Sequence, residues 1–368
     1  MKELILSKIK ESPQHRLSVA DYMNHALYDS EHGYYMKARP KVGKAGDFYT
    51  SSSVSSVFAE LIADVVLSTM KKEQLPFHFC EIGGGTGRFA SDFLNYIKKT
   101  DGQAYQHFQY ELVETSPYHQ TCQQELLSSE NGVTFHSSIE AVIEKYPSFE
   151  GIVFSNELFD AFPVHVVEKN KHTVHEIFIS EQDGDLVQIK DVCNNSSLLH
   201  WLTKYGPPLV NGQRIEVPLF MNSWFRKLGD WFTRGVILTI DYGYTKAEWQ
   251  EPERRDGSLR GYYQHQMITN PCQYPGEMDL TSHIHIDALI EIGKEHGFEP
   301  VYVDRQDKFL LHAGILNWLQ DHYDPNPFSE QSKRNRAIRS LIMDGGISQS
   351  FYVIGQAKNA HSLTFKGG

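Results

Sequence analysis

The stretch HFCEIGGGTG, residues 78 to 87, decides how the rest of this sequence is interpreted. Apolar residues surround an acid at 79 to 82, three glycines follow at alternate positions, and helix-like apolar spacing resumes after Arg88. This order predicts a buried strand, a turn with almost no side chains, and a helix whose first free N–H groups face the turn. Such a turn binds part of a nucleotide-like ligand. The alternative is that the glycines only allow the helix to pack closely on the strand.

The pattern differs from a dinucleotide-binding fingerprint, which needs a third glycine three residues after the second. Arg88 occupies that position. Glu81 instead stands two residues before the first glycine, Gly83. A carboxylate there repels a pyrophosphate and attracts a cation, and S-adenosylmethionine (SAM) carries an ammonium and a sulfonium but no phosphate. Electrostatics therefore favours SAM over NAD.

Composition limits the class of protein. The chain has 368 residues, which suit one large domain or two. Its 46 acidic and 35 basic residues give a net charge of -11, which disfavours nucleic acid as the main partner. The four cysteines form no C-x-x-C pair, which indicates a reducing compartment and no structural zinc. The histidines also lack clear metal-ligand spacing, so we predict no metal site.

Targeting signals and membrane spans are not evident in the sequence. No apolar run approaches the ~20 residues of a membrane span. The first residues, MKELILSKIKES, resemble neither a secretory signal nor a transit peptide. We therefore expect a cytoplasmic protein that does not insert into a membrane.

Two further strands are predicted to end beside the same ligand. YELVE at 110 to 114 ends in Glu114, where doubly wound folds place an acid that binds the ribose hydroxyls. VTFHS at 133 to 137 predicts the next strand, after which Ser138 and Ile139 would lie beside an adenine. The alternative for Glu114 is an ordinary exposed glutamate.

The fourth strand, GIVFSN at 151 to 156, is typical of a doubly buried parallel strand. It is followed by Asn156, Glu157 and Asp160, and ligands of open α/β sheets lie outside the carboxyl ends of strands. Three polar groups would therefore face the ligand crevice. The alternative is that Asn156 caps a short helix and the acids lie near its positive end.

The remaining segments complete an α/β pattern. In chain order they are a helical region with Ser18 as a helix N-cap and the long insert GYYMKARPKVGKAGDFYTSSSV, an antiparallel meander at 164 to 192, a buried strand at 235 to 243 that ends near Asp241, a long loop at 254 to 283, and the closing strand SFYVIGQAK. The closing strand is expected to be antiparallel to its neighbours.

Several segments resemble the MidA family of SAM-dependent methyltransferases, which includes a mitochondrial protein arginine methyltransferase that serves complex I assembly. They are GDFYTS (46 to 51), EIGGGTGR (81 to 88), LVETSP (112 to 117), SNELFDAFPV (155 to 164), LTIDYG (238 to 243), SLRGYYQH (258 to 265) and PGEMDLTSHI (275 to 284). The likeness runs from about Ser18 to Gln356. It implies a class I methyltransferase, Rossmann-like α/β fold with a seven-stranded sheet, the last strand antiparallel, and an added lobe.

The resemblance and the segment pattern predict a division of the chain. The expected parts are an N-terminal helical or lid region at 1–72, a SAM-binding core at 73–163 and 235–357, an inserted lobe at 164–234, and a site-forming loop at 254–283 within the core.

The resemblance also implies roles for individual residues. The cofactor SAM would be bound by Gly83, Gly85 and Gly87 at its methionine part, Glu81 at its ammonium, Glu114 at the ribose, and Ser138 with Ile139 at the adenine. Asn156, Glu157 and Asp160 match an Asn-Glu-x-x-Asp element beside the methyl group and are the predicted catalytic residues. One departure is Gly84, where many members have proline or alanine.

The function implied is methyl transfer to a protein arginine. Carboxylates can bind a guanidinium in a bidentate manner and accept the proton lost after transfer. Glu157 and Asp160 are the candidates, with Asp241 behind them. The alternatives are a small-molecule methyltransferase and a SAM-binding assembly factor with little catalysis. The expected partner is a protein substrate, and a homodimer is compatible with the sequence.

Overall fold

The computed structural model describes residues 1–39, 41, 56–320, 326, 328–343 and 347–366. The segment GDFYTS at 46 to 51 and most of the long insert around it lie outside the described residues.

Strands and helices alternate along much of the described chain. The strands are β1 (Arg16–Ser18), β2 (His78–Ile82), β3 (Gln109–Val113), β4 (Val133–His136), β5 (Phe149–Asn156), β6 (His165–Asn170), β7 (Thr173–Gln182), β8 (Asp185–Val192), β9 (Arg214–Val217), β10 (Phe232–Tyr244), β11 (Arg260–Tyr263), β12 (Gln266–Ile268), β13 (Asp279–Thr281), β14 (Ile284–His285), β15 (Glu299–Arg305) and β16 (Phe351–Lys358). The α-helices are α1 (Lys2–Glu11), α2 (Val19–Tyr28), α3 (Ser56–Lys72), α4 (Arg88–Thr100), α5 (Gly102–His107), α6 (Pro117–Leu126), α7 (Ile139–Lys145), α8 (Ser196–Lys204), α9 (Phe220–Trp231), α10 (Ile286–Glu295), α11 (Gln306–His312) and α12 (Glu330–Ile342). Short 3-10 helices cover Phe159–Ala161, Glu248–Gln250, Pro252–Arg254, Ile315–Trp318 and Ile347–Ser350.

The chain divides into two compact units. Of the described residues, the first unit holds 1–39, 41, 159–226 and 243–292, and the second holds 56–158, 227–242 and those from 293 onward.

This division differs from the one predicted. Helix α3, predicted as part of the lid region 1–72, belongs to the second unit because its apolar face is buried in the core of that unit. The segment 254–283, predicted as a loop of the core, belongs to the first unit and forms strands β11, β12 and β13, which pair with one another. Strand β1 likewise joins the first unit by pairing with β7, a contact that no local pattern near residue 16 indicates.

The second unit is built on a mixed sheet. Its strand order is β15-β16-β10-β5-β2-β3-β4. Neighbouring strands are parallel from β10 to β4, whereas β16 is antiparallel to both β10 and β15. The predicted class I methyltransferase fold, with seven strands and the last one antiparallel, is confirmed. The carboxyl ends of β2, β3, β4, β5 and β10 consequently meet at one edge of the sheet.

An aromatic cluster fixes β2 in the core of the second unit. Phe79 stacks on Phe93 of α4 with ring centroids 4.7 Å apart, and on Phe154 of β5 at 5.8 Å. All three side chains are buried. Such ring pairs contribute about 0.5–1.5 kcal/mol each beyond the burial of apolar area. The turn that follows β2 therefore starts from a rigid strand.

The first unit contains an antiparallel sheet with the order β1-β7-β6-β9. Strands β1 and β6 pair with successive parts of one edge of β7, and β8 pairs along its opposite edge. The meander predicted at 164 to 192 is confirmed as β6, β7 and β8. Ser18 is the N-cap of α2, as predicted, because its hydroxyl accepts the backbone N–H of Asp21 at 3.0 Å. The last two residues of β10 belong to this unit and pair in parallel with β14.

Candidate functional site

The glycine turn after β2 is attached to β3 by backbone hydrogen bonds. The N–H groups of Gly83 and Gly84 both donate to the carbonyl of Val113, at 2.9 and 3.2 Å. Gly83, Gly85 and Gly87 have left-handed φ angles of 80°, 52° and 80°. Gly87 is also the N-cap of α4. The turn is therefore bare backbone beside the first N–H groups of a helix, which is the arrangement the sequence predicts.

Glu81 lies near the end of β2 and is only 4% exposed. Its Oε2 accepts a hydrogen bond from the hydroxyl of Tyr110 at 2.6 Å. Burial raises the pKa of Glu81 to about 7, and the negative charge of Glu114 adds to the rise while the Tyr110 hydrogen bond opposes it. A cation bound beside this carboxylate would favour its ionised form.

Glu114 follows β3 and joins two backbone segments. Its Oε2 accepts the N–H of Gly85 at 2.8 Å, and its Oε1 accepts the N–H of Ser116 at 2.8 Å. The amide of Gln123 on α6 donates to the carbonyl of Gly85 at 2.8 Å. Both oxygens of Glu114 keep a further lone pair, so a carboxylate oriented in this way can still accept hydrogen bonds from hydroxyl groups.

Ser138 and Ile139 follow the end of β4, the neighbour of β3, after one intervening residue. The hydroxyl of Ser138 caps α7 by accepting the N–H of Ala141 at 3.3 Å, and Ile139 is buried. The N–H of Glu114 donates to the carbonyl of His136 at 3.0 Å, which connects the ends of β3 and β4. Ser138 and Ile139 therefore lie at the same sheet edge as Glu114.

The end of β5 has an unusual backbone conformation. Glu157 has a φ of 56°, in the left-handed region, although it is not a glycine. Its N–H donates to the carbonyl of Ile240 at 2.9 Å, and the side-chain amide of Asn156 donates to its Oε1 at 3.1 Å. A non-glycine residue in this conformation costs about 1–3 kcal/mol, and such strain clusters at functional sites.

The loop after β5 is fixed on two sides. The buried carboxylate of Asp241, near the end of β10, accepts the N–H of Leu158 at 3.2 Å. On the other side, a Cβ added to Gly83 would lie 3.2 Å from Cδ1 of Leu158. The side chain of Leu158 therefore lies against Gly83, and Glu157 is the residue that directly precedes Leu158.

Asp160 belongs to the first unit, whereas the other predicted site residues belong to the second. It is 5% exposed, its Oδ2 accepts the hydroxyl of Thr281 at 3.0 Å, and its carbonyl accepts the N–H of Ser282 at 2.9 Å. The second unit therefore brings the predicted cofactor residues together with Asn156 and Glu157, whereas Asp160 is held by a segment of the first unit.

The described residues hold neither a cluster of potential metal ligands nor a helix that could span a membrane. No three of their histidine, cysteine and acidic side chains form a group that could hold a metal ion. None of their helices has the length and apolar character needed to cross a membrane.

Comparison with known families identifies the class of this chain. A family described as "Putative S-adenosyl-L-methionine-dependent methyltransferase" matches residues 60 to 303. The chain belongs to this family. The resemblance seen in its glycine turn and strand ends is thereby confirmed, and the chain is a SAM-dependent methyltransferase.

Curated relatives of this methyltransferase are similar over most of its length. The mitochondrial protein arginine methyltransferase NDUFAF7 of Danio rerio is 27% identical over 361 residues, which cover 89% of this chain and 79% of the relative. The Drosophila melanogaster homologue of that protein is 27% identical over 315 residues, covering 76% and 67%.

A solved structure shares the fold of the methyltransferase. The crystal structure of a Burkholderia thailandensis protein bound to S-adenosyl-homocysteine superposes with a TM-score of 0.86 at 25% identity, covering 98% of this chain and 94% of that one. The cofactor of this methyltransferase is SAM, whose demethylated product is S-adenosyl-homocysteine.

The residues of the second unit fit this cofactor. A Cβ added to Gly85 would meet no atom within 4 Å, so the turn faces open space at this position. Glu81 supplies a carboxylate with which an ammonium group can pair. The turn, the carboxylate of Glu114 and the end of β5 border the same edge, which is where class I and doubly wound folds bind ligands.

Sequence reasoning missed two residues of this edge. The sequence pattern assigns Tyr110 only to a strand, and nothing in the alternation of β3 shows that its hydroxyl reaches Glu81. Gln123 lies in the middle of α6 and is fully buried, with its amide on the glycine turn. The burial of Gln123 is seen only in the structure, and the mostly polar sequence of α6 gives no signal for it.

Proposed function

We propose that this methyltransferase methylates an arginine guanidinium of a protein, with Glu157 as the carboxylate that binds the guanidinium. The observation that carries the proposal is the left-handed conformation of Glu157 at the end of β5, where Ile240 and Asn156 hold it by hydrogen bonds and the next residue, Leu158, lies against Gly83 of the glycine turn. The names of the curated relatives support arginine as the acceptor.

Bound SAM supplies the methyl group, and its transfer to a guanidinium nitrogen leaves S-adenosyl-homocysteine and one proton. Glu157 would bind two N–H groups of the guanidinium and hold its charge away from the third nitrogen, which is the nucleophile. The carboxylate also offers an acceptor for the proton that the methylated nitrogen loses. Asn156 orients the carboxylate by the hydrogen bond to its Oε1.

For the cofactor we propose the roles predicted from the sequence. Glu81 pairs with the ammonium, and the three left-handed glycines contact the methionine part. Glu114 binds the ribose hydroxyls, and Ser138 with Ile139 flanks the adenine. Their common position at one sheet edge supports these roles.

Two acids have secondary roles in the proposal. Asp241 acts through the backbone, because its carboxylate holds the N–H of Leu158, next to Glu157. Asp160 remains a predicted member of the Asn-Glu-x-x-Asp element. The neutral variant Asp160→Asn tests it by the same turnover measurement as Glu157→Gln.

The test is transfer of labelled methyl groups from SAM to a protein array, with mass spectrometry of the labelled residue. We expect label on arginine, and we expect Glu157→Gln to reduce turnover by about 100-fold or more, as removal of a transition-state contact does. Binding of S-adenosyl-homocysteine should change less than threefold. The matched control is Glu150→Gln, an exposed glutamate at the opposite end of β5.

The alternatives give different outcomes in the same assay. Label that appears only in the small-molecule fraction of a cell extract would show a small-molecule methyltransferase. Calorimetric binding of SAM without turnover on any partner would support the assembly-factor function. Unchanged turnover of Glu157→Gln would show that this carboxylate does not bind the acceptor.

Localisation and assembly stay predictions. The two curated relatives carry the word mitochondrial in their names. For this chain we propose the cytoplasm, which fractionation of cells that express a tagged chain would test. Light scattering of the purified protein would test whether it is a homodimer.

A further inference from the structure

Tyr110 is a buried residue to which the proposed function assigns no role. It lies on β3 with no exposed surface, and its hydroxyl donates to Oε2 of Glu81 on the adjacent strand β2. A buried tyrosine hydroxyl needs a hydrogen-bond partner, and a carboxylate is the strongest acceptor available. At 2.6 Å this hydrogen bond is short, as is usual for an ionised acceptor.

The hydrogen bond distinguishes the two oxygens of Glu81. Oε2 is occupied by Tyr110, whereas no described residue donates to Oε1. Some polar side-chain atoms of the described residues are both inaccessible to solvent and without a partner, for example Oδ1 of Asn156. Oε1 of Glu81 does not belong to this group. Oε1 therefore reaches accessible space at the end of β2, next to the glycine turn.

We infer that Tyr110 is a positioning residue for cofactor binding, which holds Oε2 of Glu81 so that Oε1 faces the ammonium of SAM as an ionised acceptor. The inference rests on the proposed role of Glu81 and does not depend on the identity of the methyl acceptor.

If so, the affinity for SAM should follow the ionisation of Glu81, and removal of the Tyr110 hydroxyl should shift the pH at which this affinity changes. The hydroxyl of Tyr110 stabilises the ionised form of Glu81 against burial and against the charge of Glu114. Without it, Glu81 would stay protonated to a higher pH and would attract a cation only above that pH. A tyrosine that merely filled space would instead change affinity by the same factor at every pH.

The test compares the dissociation constants of SAM for Tyr110→Phe and for the wild-type protein by calorimetry between pH 6 and 8.5. Ionisation of SAM itself cancels in the ratio of the two constants. If the midpoint moves up by about one pH unit, the variant should bind about tenfold more weakly at pH 6 and within about twofold of wild type at pH 8.5.

Two controls make the result specific. Tyr96→Phe removes another tyrosine hydroxyl that donates to a carboxylate of the second unit, Asp64, at 2.7 Å, and should leave the ratio near one at every pH. In a Glu81→Gln background, Tyr110→Phe should produce no pH-dependent change, because the group that titrates is gone.

A second variant covers the case in which Tyr110→Phe does not fold. A fluorotyrosine incorporated at position 110 keeps the shape of the ring and donates more strongly, so the midpoint should move to lower pH. A pH-independent ratio for either variant would overturn the inference, as would a pH-dependent effect that persists with Glu81→Gln. Neither result would affect the arginine proposal, which depends on turnover and on Glu157.

Discussion

The backbone N–H of Gly85 donates a 2.8 Å hydrogen bond to Oε2 of Glu114, a residue 29 positions later in the chain. The acid at the end of β3 therefore holds the glycine turn after β2 in addition to any contact with a ligand. The other oxygen of the same carboxylate holds the N–H of Ser116. One side chain thus sets the relative position of two backbone segments at the sheet edge where we propose that the cofactor binds.

This geometry predicts a large effect of Glu114→Gln. The amide has one acceptor oxygen, so its NH₂ group must face either Gly85 or Ser116, both of which are donors. A charge-assisted hydrogen bond contributes about 1.5–3 kcal/mol, so we expect S-adenosyl-homocysteine to bind at least about tenfold more weakly. Calorimetry measures the affinity, and Glu144→Gln, an exposed glutamate on α7, is the control. Equal affinities of the two variants would contradict the prediction.

Glu81 is expected to reduce stability at alkaline pH. Burial raises its pKa from 4.5 to about 7. Because the pKa of this carboxyl is higher in the folded than in the unfolded state, its contribution to the free energy of unfolding is fully present below pH 4.5. The contribution is lost as pH rises through about 7. The loss corresponds to about 3 kcal/mol.

The variant Glu81→Gln should escape this loss, because an amide does not titrate and can still accept from Tyr110. We expect the free energy of unfolding of the variant, relative to wild type, to be larger at pH 8 than at pH 5. Urea denaturation at the two pH values measures it. A difference that does not change with pH would show that Glu81 has an ordinary pKa.

Much of this edge could be predicted from the sequence, because it depends on local patterns. The apolar run of β5 ends at Asn156, and Glu81 precedes the glycines, so both positions follow from the order of residue types. The pairing of Tyr110 with Glu81 could not be predicted, since it depends on the register of two strands and on the direction of one side chain. Asp160 lies 121 positions from Thr281, its hydrogen-bond donor, and no local pattern connects them.

The buried carboxylate of Glu111 on β3 is expected to stabilise the fold. Glu111 is 1% exposed, and its carboxylate accepts hydrogen bonds from two donors, His136 at 2.6 Å and Tyr146 at 2.9 Å. Burial would raise the pKa of Glu111, but the hydrogen bonds from these donors hold it well below its usual value. The stabilisation is therefore present above about pH 4.5 and is lost as pH falls further.

We expect Glu111→Gln to lower the free energy of unfolding by about 2–3 kcal/mol at pH 7, because it removes the charge that the donors surround. The deficit should shrink at pH 3.5, where the ionised carboxylate of the wild-type protein stabilises the fold less. Urea denaturation of both proteins at the two pH values tests this, with Glu144→Gln as the exposed control. A deficit of the same size at both pH values would exclude an ionised Glu111 as its source.

Gly84 stands where the family that the sequence resembles often has proline or alanine. Gly84 does not have a left-handed φ, so its backbone would accept alanine. The obstacle is packing, because an added Cβ would lie 2.2 Å from Cδ1 of the buried Leu112. We expect Gly84→Ala to cost about 1–3 kcal/mol of stability.

Leu112→Val removes the clashing carbon, so the double variant should be more stable than the sum of the single changes predicts, by about 1–2 kcal/mol. Urea denaturation of the four proteins measures this coupling, and Gly102→Ala, whose added Cβ meets nothing within 4 Å, is the matched control. Strict additivity of the two changes would show that Leu112 is not the reason for glycine at this position.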